Sequence, residues 1–416
     1  MTLMLAAEER AIAAGTDGAA MAMRIVADAA RLMGAPRLIP IASAHIDGAL
    51  YHGDSGTLFA EKLVEGGARV AVRATLNVGA LDLTGCARVR LEEPARAMAA
   101  RMMSAYRTLG CEPTWTCAPY QAGHRPARGT DVAWGESNAV VFCNSVLGAR
   151  TNRYGDFLDI ACAIAGRAPD YGLHRPENRK ATVIFDVSDL PPDFLETDVA
   201  WPILGSLHGR ELGDAIGVVT GLRADPGEDA LKAFGAAAAS TGAVGLFHVA
   251  GVTPEAPDVE TALGHAEPEK MIRVDGKMVA DARARLSTAE RPDRIDAVAI
   301  GSPHLSSEEL ARLEHLVNGR RLAVPIYACT GRHVLSSLDP DRRTALETAG
   351  VVLVADTCVV VTPIMPELAG GVLMTNSGKF AHYAPGNTGY SVLYASLAEC
   401  VESAVSGRPQ WTGSLS

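Results

Sequence analysis

Several features that mark common protein classes are scarce or missing in this sequence. Aromatic residues make up only 5% of the 416 positions, which disfavours an aromatic-rich β-sandwich core. No stretch of about 18 apolar residues free of charge occurs, so no transmembrane helix is expected. The N-terminus meets Glu8 and Glu9 early and lacks the basic start and long apolar run of a signal peptide. We therefore expect a cytoplasmic protein in a reducing compartment, with no membrane partner.

An excess of positive charge is also absent. The chain carries 38 basic and 48 acidic residues, which give a formal net charge of −10. Nucleic-acid-binding proteins normally show a basic patch or stripe, so the charge balance disfavours that class. An anionic small molecule can still bind, because a local pocket can be basic on an acidic protein.

The common nucleotide, hydrolase and zinc-protease motifs are missing. The sequence has no GxxxxGK[ST], no GxGxxG after a predicted strand, no GxSxG and no HExxH. No two cysteines form a CxxC pair, and in a reducing compartment they are not expected to build a disulfide framework. Each cysteine taken alone is most simply a small buried hydrophobe. The eight are Cys86, Cys111, Cys117, Cys143, Cys162, Cys329, Cys358 and Cys400.

Short apolar, β-branched runs alternate with Ala- and Leu-rich helical stretches along the chain. The predicted strands are Arg37–Ala42, Arg69–Ala74, Ala181–Val187, Val244–Val249, Ile295–Ile300, Leu322–Tyr327 and Val351–Val354. The predicted helices are Ala19–Met33, Ser55–Glu65, Pro94–Leu109, Asp229–Ser240, Lys277–Leu286, Ser306–Asn318, Asp341–Ala349 and Ser391–Val405. Ser306 and Glu309 read as a capping box. This alternation predicts an α/β fold with largely parallel sheets, in two or three packed lobes.

Two polar segments interrupt this alternation. Pro113–Arg153 is dense in Gly, Pro, Asn, Thr and Ser, shows little helix or strand signal and is too long for an ordinary connector. The second segment, Thr375–Gly386, reads TNSGKFAHYAPG. Polar segments on a hydrophobic α/β scaffold are where binding sites tend to be built. We therefore expect functional residues in both.

The first polar segment carries the chemically most versatile side chains. Arginines beside amides can clamp a carboxylate or a phosphate. An ordinary solvated loop with a surface ion pair is the alternative reading of the same composition. The residues concerned are Cys117, Glu136, Ser137, Asn138, Cys143, Asn144, Ser145, Arg150, Thr151, Asn152 and Arg153.

Further candidates follow predicted strands. Ser43, His45 and Asp47 come after the first strand, and ligands of parallel α/β sheets bind beyond the carboxyl ends of strands. A His–Asp pair is either a base with its orienting acid or a structural hydrogen bond. Gly301–His304, read GSPH, follows another predicted strand. Lys379 lies in a Gly-flanked polar loop and can hold an anionic substrate.

Taken together, these segments resemble the catalytic region of the aconitase X family. The resemblance rests on IASAHIDGALYHGDSG, TCAPYQAGHRPARG, AWGESNAVVFCNSVLGARTNR, GSPHLS, ADTCVVVTP and TNSGKFAHYAPG, which follow the family's order. It extends from about Leu5 to Gly407, essentially the whole chain. It implies an aconitase-like fold of several α/β/α lobes. It also implies a hydro-lyase that uses an iron–sulfur cluster to eliminate water from a hydroxylated carboxylic acid.

The resemblance implies a ligand set and a branch. One branch of the family dehydrates cis-3-hydroxy-L-proline, giving an enamine that tautomerises to Δ1-pyrroline-2-carboxylate, and a mostly archaeal branch dehydrates mevalonate 5-phosphate. The phosphate branch usually has a cysteine where this chain has Ser302 and usually lacks the one at Cys143. The implied ligands are therefore Cys117, Cys143 and Cys358, with Cys329 in reserve. This exchange, with RYGDFLDI, favours the hydroxyproline branch and a 2Fe-2S cluster, with 3Fe-4S and 4Fe-4S as alternatives.

Roles for the remaining candidates are also implied by the resemblance. The cluster iron would act as a Lewis acid on the departing hydroxyl, while a base removes the proton beside the carboxylate. We expect Ser43, His45 and Asp47 to line the pocket beside the cluster. The substrate carboxylate would be clamped by Asn144, Ser145, Arg150 and Arg153. Glu136 and Ser137 would contact the ring nitrogen or position the cluster loop, and Ser377 and Lys379 would close the site.

A partner is implied as well. Nothing in the sequence resembles the small swivelling domain of aconitase-type enzymes, which predicts a separate small subunit of roughly 130–150 residues that can carry the general base. Three alternatives stay open. They are the same machinery acting on mevalonate 5-phosphate, a non-catalytic iron–sulfur or metabolite-binding protein, and a zinc enzyme with Cys and His ligands.

Overall fold

Helices and strands alternate along the chain. The computed structural model describes residues 3–290 and 292–411. Its helices are α1 (Ala7–Ala13), α2 (Asp17–Leu32), α3 (Asp54–Glu65), α4 (Glu93–Thr108), α5 (Ser137–Ser145), α6 (Leu158–Ala165), α7 (Pro192–Leu195), α8 (Ala200–Leu212), α9 (Glu228–Thr241), α10 (Val259–Ala262), α11 (Gly276–Arg285), α12 (Ser307–Val317), α13 (Arg332–Ser337), α14 (Pro340–Ala349), α15 (Gly378–Thr388) and α16 (Leu397–Ser406). Its strands are β1 (Leu38–Pro40), β2 (Ser43–Ile46), β3 (Arg73–Leu76), β4 (Ala133–Trp134), β5 (Arg167–Pro169), β6 (Val183–Asp186), β7 (Gly217–Thr220), β8 (His248–Val249), β9 (Lys270–Arg273), β10 (Ala297–Leu305), β11 (Ile326–Thr330), β12 (Val351–Val354), β13 (Val372–Thr375) and β14 (Ser391–Tyr394). Two 3₁₀ turns span Gly172–His174 and Pro176–Arg179.

The chain forms two compact units. The first comprises the chain up to Leu81, Leu91–Ala181 and Gly245–Glu267. The second comprises Asp82–Arg90, Thr182–Val244 and the chain from Pro268 onward. Each unit is therefore assembled from segments that are distant in sequence.

A small parallel sheet organises the first unit. Its strand order is β3-β2-β4, and the parallel register places His45 opposite Thr75 on one side and opposite Trp134 on the other. All four residues of β2 are buried. A second, antiparallel pair joins β1 to β5. Helices α2 and α6 pack against each other, as do α3 and α4.

Parallel sheets also organise the second unit. Five strands run in the order β12-β11-β10-β13-β14, and every neighbouring pair is parallel. Strands β7 and β9 pair in parallel with β6 on either side. All nine residues of β10 are buried, as expected for a strand covered on both faces. The prediction of an α/β fold with largely parallel sheets is confirmed.

The helical predictions match closely where caps and apolar periodicity agree. The predicted capping box of α12 is present, since Glu309 N–H donates to Ser306 Oγ at 3.1 Å and Ser306 N–H donates to Glu309 Oε2 at 2.8 Å. The predicted helix Ser391–Val405 is partly wrong, because its first four residues form strand β14 and the helix starts only at Leu397. Ser396, rather than Ser391, caps that helix by accepting the Glu399 N–H.

Two of the polar segments that were predicted to follow strands are themselves part of strands. Ser43–Ile46 is itself the central strand β2, so Ser43 and His45 lie within a strand and not beyond the end of β1. Gly301–His304 likewise lies within β10. These predictions of position were wrong because both segments contain polar residues and so lack the apolar pattern by which a strand is predicted from sequence. In the fold, neighbouring elements bury these polar side chains.

The two polar segments are also more regular than predicted. Pro113–Arg153 contains β4 and helix α5, and Thr375–Gly386 contains the end of β13 and most of α15. Helix α5 is buried along almost its whole length, so it lacks the amphipathic pattern by which a helix is recognised.

Helices α8 and α9 approach through their backbones. Gly205 and Gly209 lie one turn apart on α8, where a Cβ would overlap the carbonyl oxygens of Phe234 and Ala238 on α9. Only glycine permits this approach. No helix within residues 3–290 and 292–411 is long and apolar enough to cross a membrane.

Replacing Gly205 by alanine tests this packing. We expect Gly205→Ala to lower the free energy of unfolding by about 1–3 kcal/mol, because the added methyl group forces α8 away from α9. The matched control is Gly276→Ala at the start of α11, where nothing lies near the added carbon. That change should leave stability equal or up to about 1 kcal/mol higher. Urea unfolding measures both, and equal stabilities for the two variants would contradict the packing argument.

Candidate active site

Buried polar atoms concentrate on the three-stranded sheet of the first unit. His45 Nδ1 lies 2.8 Å from Thr75 Oγ1, and the same oxygen lies 2.7 Å from His124 Nδ1. Trp134 packs against both rings, with centroids 5.6 Å and 4.9 Å away. The Nε2 atoms of both histidines and Ser43 Oγ are buried, and none of them has a hydrogen-bond partner in the described part of the chain. Burial lowers the pKa of His45 well below its ordinary value and that of His124 to about 4, so both rings are neutral at pH 7.

His45 is therefore oriented by Thr75 rather than by Asp47. Asp47 instead accepts a hydrogen bond from Asn77 Nδ2, and its backbone N–H donates to Asp159 Oδ2 at 2.6 Å. Asp159 is fully buried, and burial, reinforced by the charge of Asp47, raises its pKa from 3.8 to about 7. A carboxyl group in this state exchanges its proton near neutral pH.

The two cysteines predicted from the central segment are both buried in the first unit. The Cys117 carbonyl oxygen accepts from Asn138 Nδ2 at 3.1 Å, and the same amide donates to Tyr120 Oη at 3.0 Å. Trp115, two residues before Cys117, has a left-handed backbone with φ of 46°, a conformation that is often stored at functional sites. Cys143 lies on α5, where burial raises the pKa of its thiol. It is therefore protonated unless a cation displaces the proton.

Glu136 and Ser137 form the start of α5. Glu136 has a left-handed φ of 67°, and its Oε2 accepts the Ala139 N–H at 2.7 Å. Ser137 Oγ donates to Glu136 Oε1 at 3.3 Å. These bonds fix the helix that carries Cys143, which agrees with a positioning role. Contact of either residue with a ring nitrogen stays a prediction.

The amide of Asn144 is fully used within the protein. Its Nδ2 donates to the carbonyl oxygens of Thr151 at 2.9 Å and Gly245 at 2.8 Å, and its Oδ1 accepts from Thr151 N–H and Arg179 Nη1. Ser145 Oγ accepts a backbone N–H at 2.9 Å. Both side chains tie α5 to the returning segment near Gly245. Direct carboxylate binding by them stays a prediction.

The two arginines predicted to clamp a carboxylate differ in burial. Arg150 is half-buried, and its buried Nε has no hydrogen-bond partner, whereas Arg153 is exposed. The buried arginine of this region is Arg179, which sequence reasoning missed. It forms an ion pair with Glu255 at 2.8 Å and donates to the Ala149 carbonyl oxygen at 3.1 Å. Of the two predicted arginines, Arg150 is thus the one with a buried N–H group that can still donate a hydrogen bond.

The third predicted cysteine ligand lies in the second unit. Cys358 follows β12 and is buried. A hydrogen bond with Cys329 lowers the pKa of the Cys358 thiol below its ordinary value, against the opposing effect of burial. The Val360 N–H, the charge of Lys379 and the Ser302 hydroxyl act in the same direction as Cys329. The surroundings of Cys358 therefore favour a thiolate.

A cavity of about 520 Å³ opens in the second unit beside these groups. Ser302, Ser377 and Lys379 all line it. Ser377 caps α15 by accepting the Phe380 N–H at 3.0 Å, and its hydroxyl donates to the Ser302 carbonyl oxygen. Ser302 thus contacts Cys358 and also lines the cavity. The charged lining residues are Arg223, Lys232, Arg312 and Lys379 against Glu196, Asp198, Asp225, Asp229, Glu308 and Glu309.

The predicted site residues therefore fall into two groups. The first unit holds Ser43, His45, Asp47, Cys117, Glu136, Ser137, Cys143, Asn144, Ser145, Arg150 and Arg153, and the second holds Cys358, Ser377 and Lys379. In the part of the chain that the structure describes, no group of three or more His, Cys, Asp or Glu side chains is arranged as a metal site. No disulfide joins any of the eight cysteines, all of which lie in the described ranges.

Comparison with known proteins identifies the family. Residues 2–177 match the model of the aconitase X first domain, residues 181–284 that of the second and residues 295–406 that of the third. The chain belongs to the aconitase X family. The crystal structure of Thermococcus kodakaraensis aconitase X in its holo-form superimposes with a TM-score of 0.85 at 34% identity, over 96% of this chain and 100% of that chain.

Relatives within aconitase X are dehydratases, that is, hydro-lyases. The cis-3-hydroxy-L-proline dehydratase of Pseudomonas aeruginosa is 45% identical, over 98% of this chain and 72% of its own length. That of Hypocrea jecorina is 38% identical, over 98% and 69%. The phosphomevalonate dehydratase large subunit of Methanothermobacter thermautotrophicus is 37% identical, over 89% and 91%.

Membership of aconitase X suggests an iron–sulfur cluster, whose ordinary protein ligands are cysteine thiolates. The donor chemistry of Cys358 fits such a cluster, because its surroundings lower the pKa of its thiol. Asp356 has a left-handed φ of 64° and precedes Cys358 by two residues, as Trp115 precedes Cys117. The backbone is thus held in an uncommon conformation before two of the predicted ligands.

Several polar residues around His45 escaped sequence reasoning. Thr75 lies one residue beyond the predicted strand Arg69–Ala74, and His124 lies in a segment predicted without regular structure. Asp159 belongs to RYGDFLDI, which the resemblance had already singled out as a motif. His124 belongs to TCAPYQAGHRPARG, another motif of the resemblance, but its contact with Thr75 depends on the path of the loop. For Thr75 no local signal was available, because only the sheet register brings it to His45.

The buried Asp159 predicts a pH dependence of stability. Its pKa is higher in the folded protein than the 3.8 of an unperturbed aspartate, so folding favours the protonated form. Its contribution is fully present below about pH 4 and is lost as the pH rises to about 7. The free energy of unfolding of the wild type, relative to Asp159→Asn, should fall by up to about 1.4 kcal/mol per pH unit in that window.

Urea unfolding at several pH values measures this difference. The control is Gly276→Ala, which neither adds nor removes a titratable group, so its difference from the wild type should stay flat with pH. A flat difference for Asp159→Asn as well would contradict the raised pKa.

Proposed function

We propose that this chain is the cluster-bearing part of a hydro-lyase that dehydrates cis-3-hydroxy-L-proline. The product is an enamine, which tautomerises to Δ1-pyrroline-2-carboxylate. The observation that carries the proposal is the 45% and 38% identity to two cis-3-hydroxy-L-proline dehydratases over 98% of the chain. The presence of Cys143 together with Ser302 supports the same branch of the family.

The charge of the cavity supports an imino acid over a phosphate ester. Four basic side chains line it against six acidic ones, and Lys232 is already bound by Asp229 at 2.9 Å and by Glu309. A phosphate carries nearly two negative charges and requires a cluster of free cations. Hydroxyproline is a zwitterion with one carboxylate and one ammonium group. A lining of mixed sign suits it better.

The chain's own residues supply the remaining parts of the proposed mechanism. Cys117, Cys143 and Cys358 would hold the cluster, and 2Fe-2S is the form we favour. A bound cluster supplies a Lewis-acidic iron that weakens the carbon–oxygen bond of the departing hydroxyl. Lys379 offers the substrate carboxylate a positive charge at the cavity wall. Buried donors such as Arg150 Nε stabilise the negative charge that develops when the proton beside the carboxylate is removed.

A separate small subunit is part of this proposal. The chain spans 72% and 69% of the two hydroxyproline dehydratases but 91% of the archaeal protein named a large subunit. The cavity is larger than an imino acid needs, since its volume suits a drug-sized ligand. A side chain of a partner therefore has room beside the substrate. A cytoplasmic location, in which the thiols stay reduced, also belongs to the proposal.

Serine replacement of the cysteines tests the ligand assignment. After anaerobic purification, Cys117→Ser, Cys143→Ser and Cys358→Ser should each lose the iron, the acid-labile sulfide and the visible absorption. A lost thiolate removes one of three protein bonds to the cluster. Activity should be abolished along with the chromophore.

Buried cysteines outside the ligand set provide the matched controls. Cys111→Ser and Cys162→Ser remove thiols that are equally buried, and both variants should keep their iron. A Cys143→Ser protein with a full complement of iron would overturn the assignment, and Cys329 would then be the next candidate ligand. Zinc without sulfide in the wild type would instead support the zinc alternative.

Substrate comparison tests the proposed reaction. The reconstituted protein should convert cis-3-hydroxy-L-proline and leave mevalonate 5-phosphate unchanged, with pyrroline formation as the measurement. Turnover of the phosphate alone would contradict the assignment to the hydroxyproline branch. Full turnover by the pure chain without a partner would contradict the small subunit. Iron without conversion of either compound in the presence of the small subunit would favour a binding protein.

A further inference from the structure

His45, Thr75 and Trp134 stand in one row across the small parallel sheet. His45 is the register partner of Thr75 on β3 and of Trp134 on β4. Neighbouring residues in register point to the same face of a sheet, so the three side chains share one face. All three are buried. The sheet therefore fixes the His45 ring between a hydroxyl group and an indole ring.

His124 reaches Thr75 from a loop that is held in place. Arg73 Nη2 donates to Glu112 Oε2 at 3.0 Å, and Arg73 Nη1 donates to the Gly123 carbonyl oxygen at 3.3 Å. The His124 N–H donates to the Pro119 carbonyl oxygen at 3.0 Å. Arg73 and Glu112 are also the charged groups that act on His124, with opposite effects on its pKa. The backbone on both sides of this loop position is thus anchored, and the His124 ring is held by Thr75 Oγ1 and packs against Trp134.

A hydroxyl group between two imidazole nitrogens imposes a rule on their protons. Thr75 Oγ1 carries one hydrogen, and among the described residues the two Nδ1 atoms are the only hydrogen-bond partners of this oxygen, so it donates that hydrogen to one of the two rings. The Nδ1 of the other ring must then donate its own hydrogen to Thr75. In neutral rings, one histidine carries its hydrogen on Nδ1 and the other carries it on Nε2.

The two outer nitrogens follow from this rule. One Nε2 has a lone pair, and the other carries a hydrogen. Both atoms are buried, and neither has a hydrogen-bond partner among residues 3–290 and 292–411. Buried polar atoms without partners are rare in native proteins and call for an explanation such as a catalytic role or a bound molecule. The hydrogen-bonded chain from His45 through Thr75 to His124 therefore ends in an unused acceptor at one Nε2 and an unused donor at the other.

We propose that His45, Thr75 and His124 form a proton relay in which the two rings hold opposite tautomers and one proton crosses from one Nε2 to the other. A proton binds to the lone pair of the first Nε2, and the Nδ1 hydrogen of that ring moves to Thr75 Oγ1. The Thr75 hydrogen moves to Nδ1 of the second ring, which releases its Nε2 hydrogen. The relay gains one proton and loses one, so its charge is unchanged.

The role of the relay in catalysis rests on the proposed function, whereas the assignment of opposite tautomers rests only on the contacts of Thr75 with the two rings. Dehydration takes one proton from the substrate carbon and needs one proton to turn the departing hydroxide into water. A relay that moves one proton per turnover can connect these two needs without an external acid. Thr75, in the middle of the relay, is then a positioning residue that acts through the two histidine rings.

Nitrogen NMR of the histidine rings tests the relay in the wild type. With ¹⁵N-labelled histidine, the signals of His45 and His124 are assigned from His45→Gln and His124→Gln. One ring should be protonated at Nδ1 and the other at Nε2. The same tautomer in both rings overturns the proposal, whether or not the protein dehydrates hydroxyproline.

Two replacements of Thr75 complete the test. Thr75→Val keeps the shape but removes the hydroxyl, so the fixed pair of tautomers should be lost and kcat should fall by roughly 100-fold with KM little changed. Thr75→Ser keeps the hydroxyl and should restore both the tautomers and kcat. The plot of kcat against the deuterium fraction of the solvent should be curved for wild type and for Thr75→Ser, because several protons move together. A folded Thr75→Val protein with wild-type tautomers or wild-type kcat overturns the relay.

Discussion

The parallel register of strands β3, β2 and β4 is the constraint on which the polar interior of the first unit depends. It places His45 between Thr75 and Trp134, and a loop anchored by Arg73 adds His124. The polar groups of this interior satisfy one another only in part. Ser43 Oγ and both outer histidine nitrogens keep hydrogen-bonding capacity that the protein does not use. Such a cost in stability is tolerated where a site must receive another molecule.

In the second unit, electrostatic interactions lower the pKa of a buried cysteine thiol. Cys358 is buried, which alone would keep its thiol protonated, yet hydrogen bonds and the charge of Lys379 reverse that tendency. Ser302 connects this sulfur to a cavity whose wall also presents Ser377 and Lys379. A buried cysteine with a lowered thiol pKa and the polar side chains of a cavity wall therefore belong to one continuous set of contacts. This arrangement supports the proposed function, in which Cys358 would hold the cluster and Lys379 would bind the substrate.

The sequence predicted well those elements whose signals are local. Helix α12 was placed by its capping box, strand β12 by a run of valine and leucine, and the α/β class by their alternation. Strand β2 and helix α5 were missed because they bury polar residues, so neither shows the expected periodicity. The family resemblance supplied the cysteines, whereas the contacts of Thr75 with His45 and His124 become visible only through the sheet register and the anchored loop. Contacts between distant segments were thus the part that the sequence could not give.

The proposed function depends on an iron–sulfur cluster held by Cys117, Cys143 and Cys358. Diffraction from crystals of the anaerobically reconstituted protein, recorded on both sides of the iron absorption edge, tests this proposal. We expect an anomalous iron peak bonded to the Sγ atoms of these three cysteines. Iron bound at other residues, or three unmodified thiols in a protein that retains iron, would contradict it.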